Sequence, residues 1–489
     1  MVSVPDTKEN SMYENFFARK EELKEFRAFF RDDESNLALL YGRKGVGKSA
    51  LLSRALLVEH CHYVYLVCTQ TNEQTHLDQL RALGAQALKQ PTLEADRLED
   101  VLDTLAEHAQ NIQMVVVLGE YPRLREVVPE CDKRLQEVVD RWRGQSKFKL
   151  VLTGSTMSVM KDLTKPMSPF YGRFSLIMKL EPLNYLEAAE FYQDMRLEDK
   201  LRLFSVFGGM PAYIRMIDPK QSAEENIQSL LISQASVIDN EVTLMLSSEF
   251  SKLNNVNLVL TALAKGIGKF TDILAATKIA KSPTLADCLA RLTAMGLVVK
   301  DAPINDERNK RRVIYRIADP MTAFYYRFVF PKKSLLQIYH YRNFFEDFVK
   351  NEFENEYMPL ALEEVVRQFL TLRNKAGLID PPLTRMGRYV YQLPSMLQPR
   401  EIRFVTEDQN GYCYYDLSFK PKEMKVESVV RTIEQVKASP LDARRFVFFV
   451  RKREYWYDYR LDEVSVEQHT VHEFYTKTVS YTHLRAHET

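Results

Sequence analysis

The sequence predicts an α/β fold built on a parallel sheet with helices on both faces. Short apolar runs that suit buried strands recur along the first third of the chain: Leu37 to Tyr41, Tyr63 to Val67, Met114 to Leu118 and Phe148 to Ser155. Stretches with helical spacing separate them, and this alternation is the pattern of strand–helix–strand units. A glycine-rich turn joins the first run to the first of those helices. Composition agrees with a globular chain, 45% hydrophobic and 27% charged.

The length, 489 residues, implies about three domains. Lys and Arg number 67 against 66 for Asp and Glu, a formal net charge of +1. That balance neither demands nor excludes nucleic acid, so any basic patch is local. Cys61, Cys68, Cys131, Cys288 and Cys413 are scattered and form no C-x-x-C pair, which argues against a zinc site or disulfide framework and for a reducing compartment. No apolar run approaches bilayer-spanning length, and the N-terminus lacks a signal-peptide pattern. A soluble cytoplasmic protein without a membrane partner is expected. The last eleven residues, Val479 to Thr489, resemble an in-frame translation of a sequencing-library adapter. On that expectation the natural chain is cut near Thr478, and His483 and His487 carry no functional meaning.

Before the first strand, apolar positions recur at helical spacing from Phe16 through Phe30. The turn after it reads Gly42-Arg43-Lys44-Gly45-Val46-Gly47-Lys48-Ser49, the G-x-x-x-x-G-K-[ST] phosphate-binding pattern. Its alternative, a glycine- and lysine-rich surface turn, lacks the flanking strand and the helix from Ala50 to Leu57. Glycines let backbone N–H groups close on phosphates, and the helix N-terminus favours anions. Lys48 would reach the β- and γ-phosphates of ATP, and the Ser49 hydroxyl would ligate Mg²⁺. Gln74 to about Ala106 reads as helices broken at Pro91.

The third strand ends at Gly119-Glu120-Tyr121-Pro122. An acidic pair at such a strand end holds the Mg²⁺ water shell and polarises the attacking water. Here Gly119 takes the first acidic position and Glu120 the second. Glu120 is the candidate base; a solvent-facing strand end is the alternative. Thr153 or Ser155, at the tip of the fourth strand, would sense the γ-phosphate or simply form a turn.

From Phe16 to about Pro331 the chain resembles the archaeal-type ATPase family of P-loop proteins, within the wider AAA+-like, STAND-related NTPases. The matching stretches follow the family's order: Phe17 to Leu23, Leu40 to Ser49, Glu120-Tyr121-Pro122 and Leu152-Thr153-Gly154-Ser155. Then come Phe170-Tyr171-Gly172-Arg173, Leu180-Glu181-Pro182-Leu183 and Phe207 to Tyr213. Two positions depart from the family: Ala18 stands where it favours Gly, and Gly119 where it has Asp. The second implies weak hydrolysis. The resemblance makes Arg173 a candidate contact to the γ-phosphate or a neighbouring subunit; a surface salt bridge is its alternative. The Gly-Gly-x-Pro segment implies a tight turn in a helical lid beside the nucleotide.

From about Glu241 short helices take over, Phe270 to Ala276 and Thr284 to Leu292. The segments Leu297 to Lys300 and Arg311 to Ile317 then form a hairpin. This is a winged helix-turn-helix layout with a charged wing from Asp301 to Lys310. Its second helix and Arg308, Lys310, Arg311 and Arg312 would contact DNA, or the module would serve packing or dimerisation. The aromatics between Asp319 and Pro331 read as core.

The remainder, from about Lys332, resembles a restriction-endonuclease-like domain of the PD-(D/E)xK type. Phe353 to Val366 matches its entry helices and Met386-Gly387-Arg388-Tyr389 its next signature. The resemblance places a metal-ligating Asp at Arg403, an acidic residue at Asp416 and a lysine at Ser418, with Lys420 or Lys422 as substitutes. An intact frame with reversed charge at Arg403 implies a degenerate nuclease used for binding.

The expected architecture is thus a P-loop NTPase core (1–180), a helical lid (181–240), a winged helix-turn-helix (241–335) and a degenerate nuclease-like α/β domain (336–478). The expected function is an ATP-binding switch with slow or residual hydrolysis, involving Glu120, Lys48 and Arg173. Its rival is a non-hydrolysing ATP-binding module that recognises DNA or a protein, with self-association also open. An active nuclease ranks third.

Overall fold

β1 (Leu37–Tyr41) is buried on both faces and lies between two parallel neighbours, as a central strand of a parallel sheet must. The structure is a computed structural model that describes residues 18–476 except 35, 111, 234, 235, 237, 238, 248, 420–423 and 452–463. Phe16, Phe17, Lys420, Lys422, Thr478 and the 479–489 tail therefore lie outside the described residues. Among those described, no helix is long and apolar enough to cross a membrane.

The chain divides into two compact units, Met1–Leu183 with Met210–Ala212, and Asn184–Gly209 with Tyr213–Thr489. The first holds a five-stranded sheet in the order β2-β3-β4-β1-β5. Its other strands are β2 (His62–Val67), β3 (Met114–Gly119), β4 (Phe148–Gly154) and β5 (Leu176–Lys179). Every pairing is parallel, so each connection crosses over, mostly by way of helices. Four strands coincide with the apolar runs of the sequence. β5 was not anticipated: it is a four-residue edge strand that buries only Met178, too short and too exposed to show a period.

α1 (Lys20–Arg31) buries Phe26, Phe29 and Phe30 on one face, with ring centroids 5.6–6.5 Å apart. α2 (Lys48–Val58) follows β1 through the glycine turn and buries Leu51, Leu52, Ala55 and Leu56. α3 (Glu73–Leu88) and α4 (Leu98–His108) fill the β2–β3 crossover, and Pro91 lies in the break between them. The core of this unit joins Leu39, Leu66, Leu118 and Leu152, one from each of four strands.

In the second unit α5 (Asn254–Ala264), α6 (Phe270–Thr277) and α7 (Ser282–Ala294) precede an antiparallel hairpin of β6 (Val298–Asp301) and β7 (Ile314–Ile317). Phe324, Tyr325, Tyr326, Phe328 and Val329 are buried, in keeping with their reading as core.

The charged segment after β6, expected as the wing, does not project free. It runs along β8 (Arg385–Tyr391). The Ile304 amide donates to the Arg388 carbonyl at 2.8 Å, and Asn305 exchanges two hydrogen bonds with the Val390 backbone. Arg388, 6% exposed, donates to the carbonyls of Asp301 (3.0 Å) and Arg312 (2.8 Å). This segment thereby covers an edge strand's unpaired groups. Arg308, Lys310 and Arg311 remain exposed, while Arg312 pairs with Asp306 at 3.1 Å.

β9 (Arg400–Asp408), β10 (Gly411–Asp416), β11 (Ala443–Val450) and β12 (Ser465–Thr470) complete a second five-stranded sheet, in the order β12-β11-β10-β9-β8. It is antiparallel from β8 to β10 and parallel from β10 to β12. α8 (Val426–Lys437) makes the crossover that the parallel β10–β11 pair requires. Its Val429 and Ile433 share a core with Val405, Phe446 and Phe448.

Candidate functional site

The site of the first unit lies at the carboxyl ends of β1, β3 and β4, where open parallel sheets place ligands. β1 delivers the chain to Gly42, whose amide reaches the Gly154 carbonyl of β4 at 3.4 Å. The turn then needs two left-handed residues, supplied by Gly45 (φ +84°) and Gly47 (φ +99°). A Cβ on Gly45 would also stand 2.7 Å from the Ala212 Cβ. The Ala212 amide donates to the Gly45 carbonyl at 3.2 Å, so the Met210–Ala212 segment closes on this turn.

α2 starts at Lys48 with Gly47 as its cap, so its first backbone N–H groups are free of intrahelical partners. Val46 is fully buried beneath the loop, while Lys44 and Ser49 are exposed. Lys48 is 7% exposed and its Nζ donates to the carbonyls of Gly42 (2.8 Å) and Arg43 (3.2 Å). Burial pushes its pKa below the usual lysine range, and the Glu120 carboxylate opposes that push.

Glu120 adopts φ 52° at the end of β3 and caps the next helix. Its Oε2 accepts from the Ser155 amide (3.1 Å) and the Ser155 hydroxyl (2.8 Å). The structure thus brings the predicted base and one predicted γ-phosphate sensor together. The other, Thr153, is 2% exposed, and its Oγ1 has no hydrogen-bond partner among the described residues. The Ser49 Oγ is met by the Tyr65 hydroxyl at 3.3 Å.

Arg173 is engaged elsewhere. Its Nε donates to both Asp140 oxygens (2.8 and 3.0 Å) and its guanidinium to the Pro169 carbonyl (2.9 Å). Asp140 and Arg173 shift each other's pKa in the sense of a formed ion pair. Among the described residues no hydrogen bond or ion pair joins Arg173 to the loop.

Two contributors escaped the sequence reading. Arg19, held at φ 72° ahead of α1, donates to the carbonyls of Val46 (3.2 Å) and Glu181 (2.5 Å) and so pins the loop from behind. Its only signal was membership of the stretch before α1. Tyr65 gave none, since its contact with Ser49 depends on how β2 and α2 pack.

Metal ligands are sparse. Among the described residues no group of three or more His, Cys, Asp or Glu could hold a metal ion. A Mg²⁺ here would therefore arrive on the nucleotide phosphates and find Ser49 as its protein ligand, a donor set that suits a cation keeping several waters.

In the second unit, a cleft of about 940 Å³ is lined by Arg400, Glu401, Arg403, Asp416, Ser418 and Gln435 among others. Arg403 turns to the helix Met358–Lys375, donating to Glu363 (3.0 Å) and to the Pro359 carbonyl (3.0 Å). Asp416 accepts the Ser418 amide at 2.8 Å, a local turn. The lysines suggested as substitutes, Lys420 and Lys422, lie outside the described residues.

A parallel sheet carrying this loop, lysine and helix N-terminus defines a P-loop nucleotide-binding domain. Residues 16–217 match the family model of an ATPase domain found predominantly in Archaea. Residues 325–429 match a second model, of archaeal and bacterial proteins of unknown function. An uncharacterized protein of Methanocaldococcus jannaschii is 23% identical over 381 residues, covering 76% of this chain and 81% of its own. The fold is similar to that of a Walker-type ATPase of Pyrococcus abyssi, at TM-score 0.51 and 20% identity, over 64% of this chain and 97% of that one. The Aeropyrum pernix ORC2 protein, in its ADPNP–ADP complexes, aligns at TM-score 0.46 and 14% identity, over 66% and 95%.

Proposed function

We propose that the chain is an ATP-dependent switch that binds Mg²⁺-ATP and hydrolyses it slowly. The glycine loop with buried Lys48 at the start of α2 carries this reading. Backbone N–H groups from Gly45 to Ser49 would cradle the phosphates, and Lys48 would exchange its two carbonyl partners for β- and γ-oxygens. The Ser49 hydroxyl would hold Mg²⁺, which would supply charge to neutralise the phosphates. A γ-phosphate oxygen would satisfy the Thr153 hydroxyl, which has no hydrogen-bond partner among the described residues. Glu120 would orient the attacking water once released from Ser155, and Arg173 would join only after leaving Asp140. Both restraints, with no carboxylate at Gly119, favour slow turnover.

One observation favours a binding role for the second unit. Arg403 lines the cleft and occupies Glu363 in an ion pair, which suits a binding surface better than metal-assisted cleavage. The helix-and-hairpin module fits a winged helix, but α7 offers little for base reading. Its Arg291 stacks on the Phe250 ring at 4.2 Å. The exposed Arg308, Lys310 and Arg311 are the better phosphate contacts.

ATP turnover by the purified chain, with and without DNA, tests the proposal. Turnover that Lys48→Ala abolishes supports the switch. Tight binding without any turnover supports the structural-nucleotide alternative, and the absence of both removes the proposal.

A further inference from the structure

β2 and β3 pair in parallel with Tyr65 opposite Val117 and Val67 opposite Gly119. Side chains two apart share a face of a strand, so Tyr65 lies diagonally beside Gly119. A Cβ built on Gly119 would stand 3.1 Å from Tyr65 Cε1 and 3.4 Å from the Leu66 carbonyl oxygen. A Cβ at 119 would thus press on the Tyr65 ring more closely than side chains normally approach. The same ring carries its hydroxyl to within 3.3 Å of the Ser49 Oγ. That spacing is long for two hydroxyls.

We propose that Tyr65 is a positioning residue for the divalent cation. Its hydroxyl would orient Ser49 and the cation's water shell from the position that an acidic side chain at 119 would otherwise serve. Gly119 and Tyr65 then form one unit, the glycine making room for the ring. The inference rests on the nucleotide-binding reading and refines it. A phenol is neutral at physiological pH, so it orders water without adding the negative charge that strengthens cation binding. The cation should therefore contribute less to nucleotide affinity here than at a site with an acidic strand end.

The test reads nucleotide affinity and not turnover. Fluorescent N-methylanthraniloyl-ATP is titrated into the full chain in EDTA, and the bound complex is then titrated with Mg²⁺. Tyr65→Phe keeps the ring over Gly119 and removes only the hydroxyl. Affinity in EDTA should stay within about twofold, while the Mg²⁺ half-saturation point should rise about fivefold, the scale of one hydrogen bond. Gly119→Asp alone should fail to lower that point, because the carboxylate meets the ring. Gly119→Asp combined with Tyr65→Ala should lower it below wild type.

An unchanged Mg²⁺ titration in Tyr65→Phe overturns the proposal, as does Gly119→Asp alone matching the double variant. Equal losses in EDTA and in Mg²⁺ for Tyr65→Phe would also overturn it, since they would mark a packing role. Wild type that binds no nucleotide in either condition refutes the nucleotide-binding reading itself, which separates the two failures.

Discussion

At the end of β3, Gly119 stands where the family resemblance calls for an acid; in β9, Arg403 stands where another calls for one. The surroundings responded differently. Near Gly119 the polar groups keep to one another or wait for a partner: the Tyr65 hydroxyl is beside Ser49, Glu120 is on Ser155, and the Thr153 hydroxyl has no hydrogen-bond partner among the described residues. Around Arg403 the charges cancel internally, the guanidinium on Glu363 and Asp416 on its own turn. Removing a side chain leaves room for a neighbour to enter, whereas reversing its charge recruits the remaining acid. On the proposed reading the first site would keep the means to hold a ligand, and the second would lack the means to hold a hard cation.

The largest effect expected within this contrast is on turnover. Glu120→Gln keeps the hydrogen bonds to Ser155 within reach but removes the base. Steady-state ATP hydrolysis should fall about 10²–10³-fold, the scale of one misplaced catalytic group. Unchanged turnover would mean that the β3 end is not the reacting edge. In the cleft, neither Mg²⁺ nor Mn²⁺ should support cleavage of linear or supercoiled DNA by the purified chain. Metal-dependent nicking lost in Asp416→Ala would break the comparison.

A smaller effect concerns stability. Glu363 is mostly buried while Arg403 is partly exposed. Arg403→Ala should leave Glu363 with Arg367, at 3.2 Å, as its remaining ion-pair partner and cost about 1 kcal/mol in denaturant unfolding, below the cost of breaking a fully buried pair. Arg403→Met combined with Glu363→Leu should recover most of that loss. No loss in the single variant would mean that the pair is not what closes this site.

The smallest effect is a pH dependence. Burial lowers the Lys48 pKa, and phosphate binding needs the charged form. Nucleotide affinity should hold through neutral pH and fall as pH rises through the lowered pKa, before a free lysine would titrate. Affinity flat across the alkaline range would place Lys48 outside the phosphate site.

What the sequence revealed follows the range of the interactions. The loop from Gly42 to Ser49 is a local pattern and was readable in full. β1, β3 and β4 were readable because burial on both faces leaves apolar runs, and β2 because its residues are apolar although only Val64 and Leu66 are buried, while β5 is short and half exposed. Arg19, Tyr65 and the Arg403–Glu363 pair were not readable as contacts, since each depends on which strands and helices become neighbours. The expected wing was placed correctly as a hairpin connection, but its packing along β8 through Arg388 and Ile304 is a tertiary fact. Arg173 was singled out by its motif alone, and its partner Asp140 lies 33 residues away.

The central claim is that the glycine loop and Lys48 form a working phosphate site. Isothermal titration of ATP into the wild-type chain and into Lys48→Ala, with Mg²⁺ present, tests it most directly. Saturable one-site binding by wild type, weakened at least about 100-fold in the variant, is the predicted result. Equal affinity in the two chains, or no binding by wild type, would contradict it.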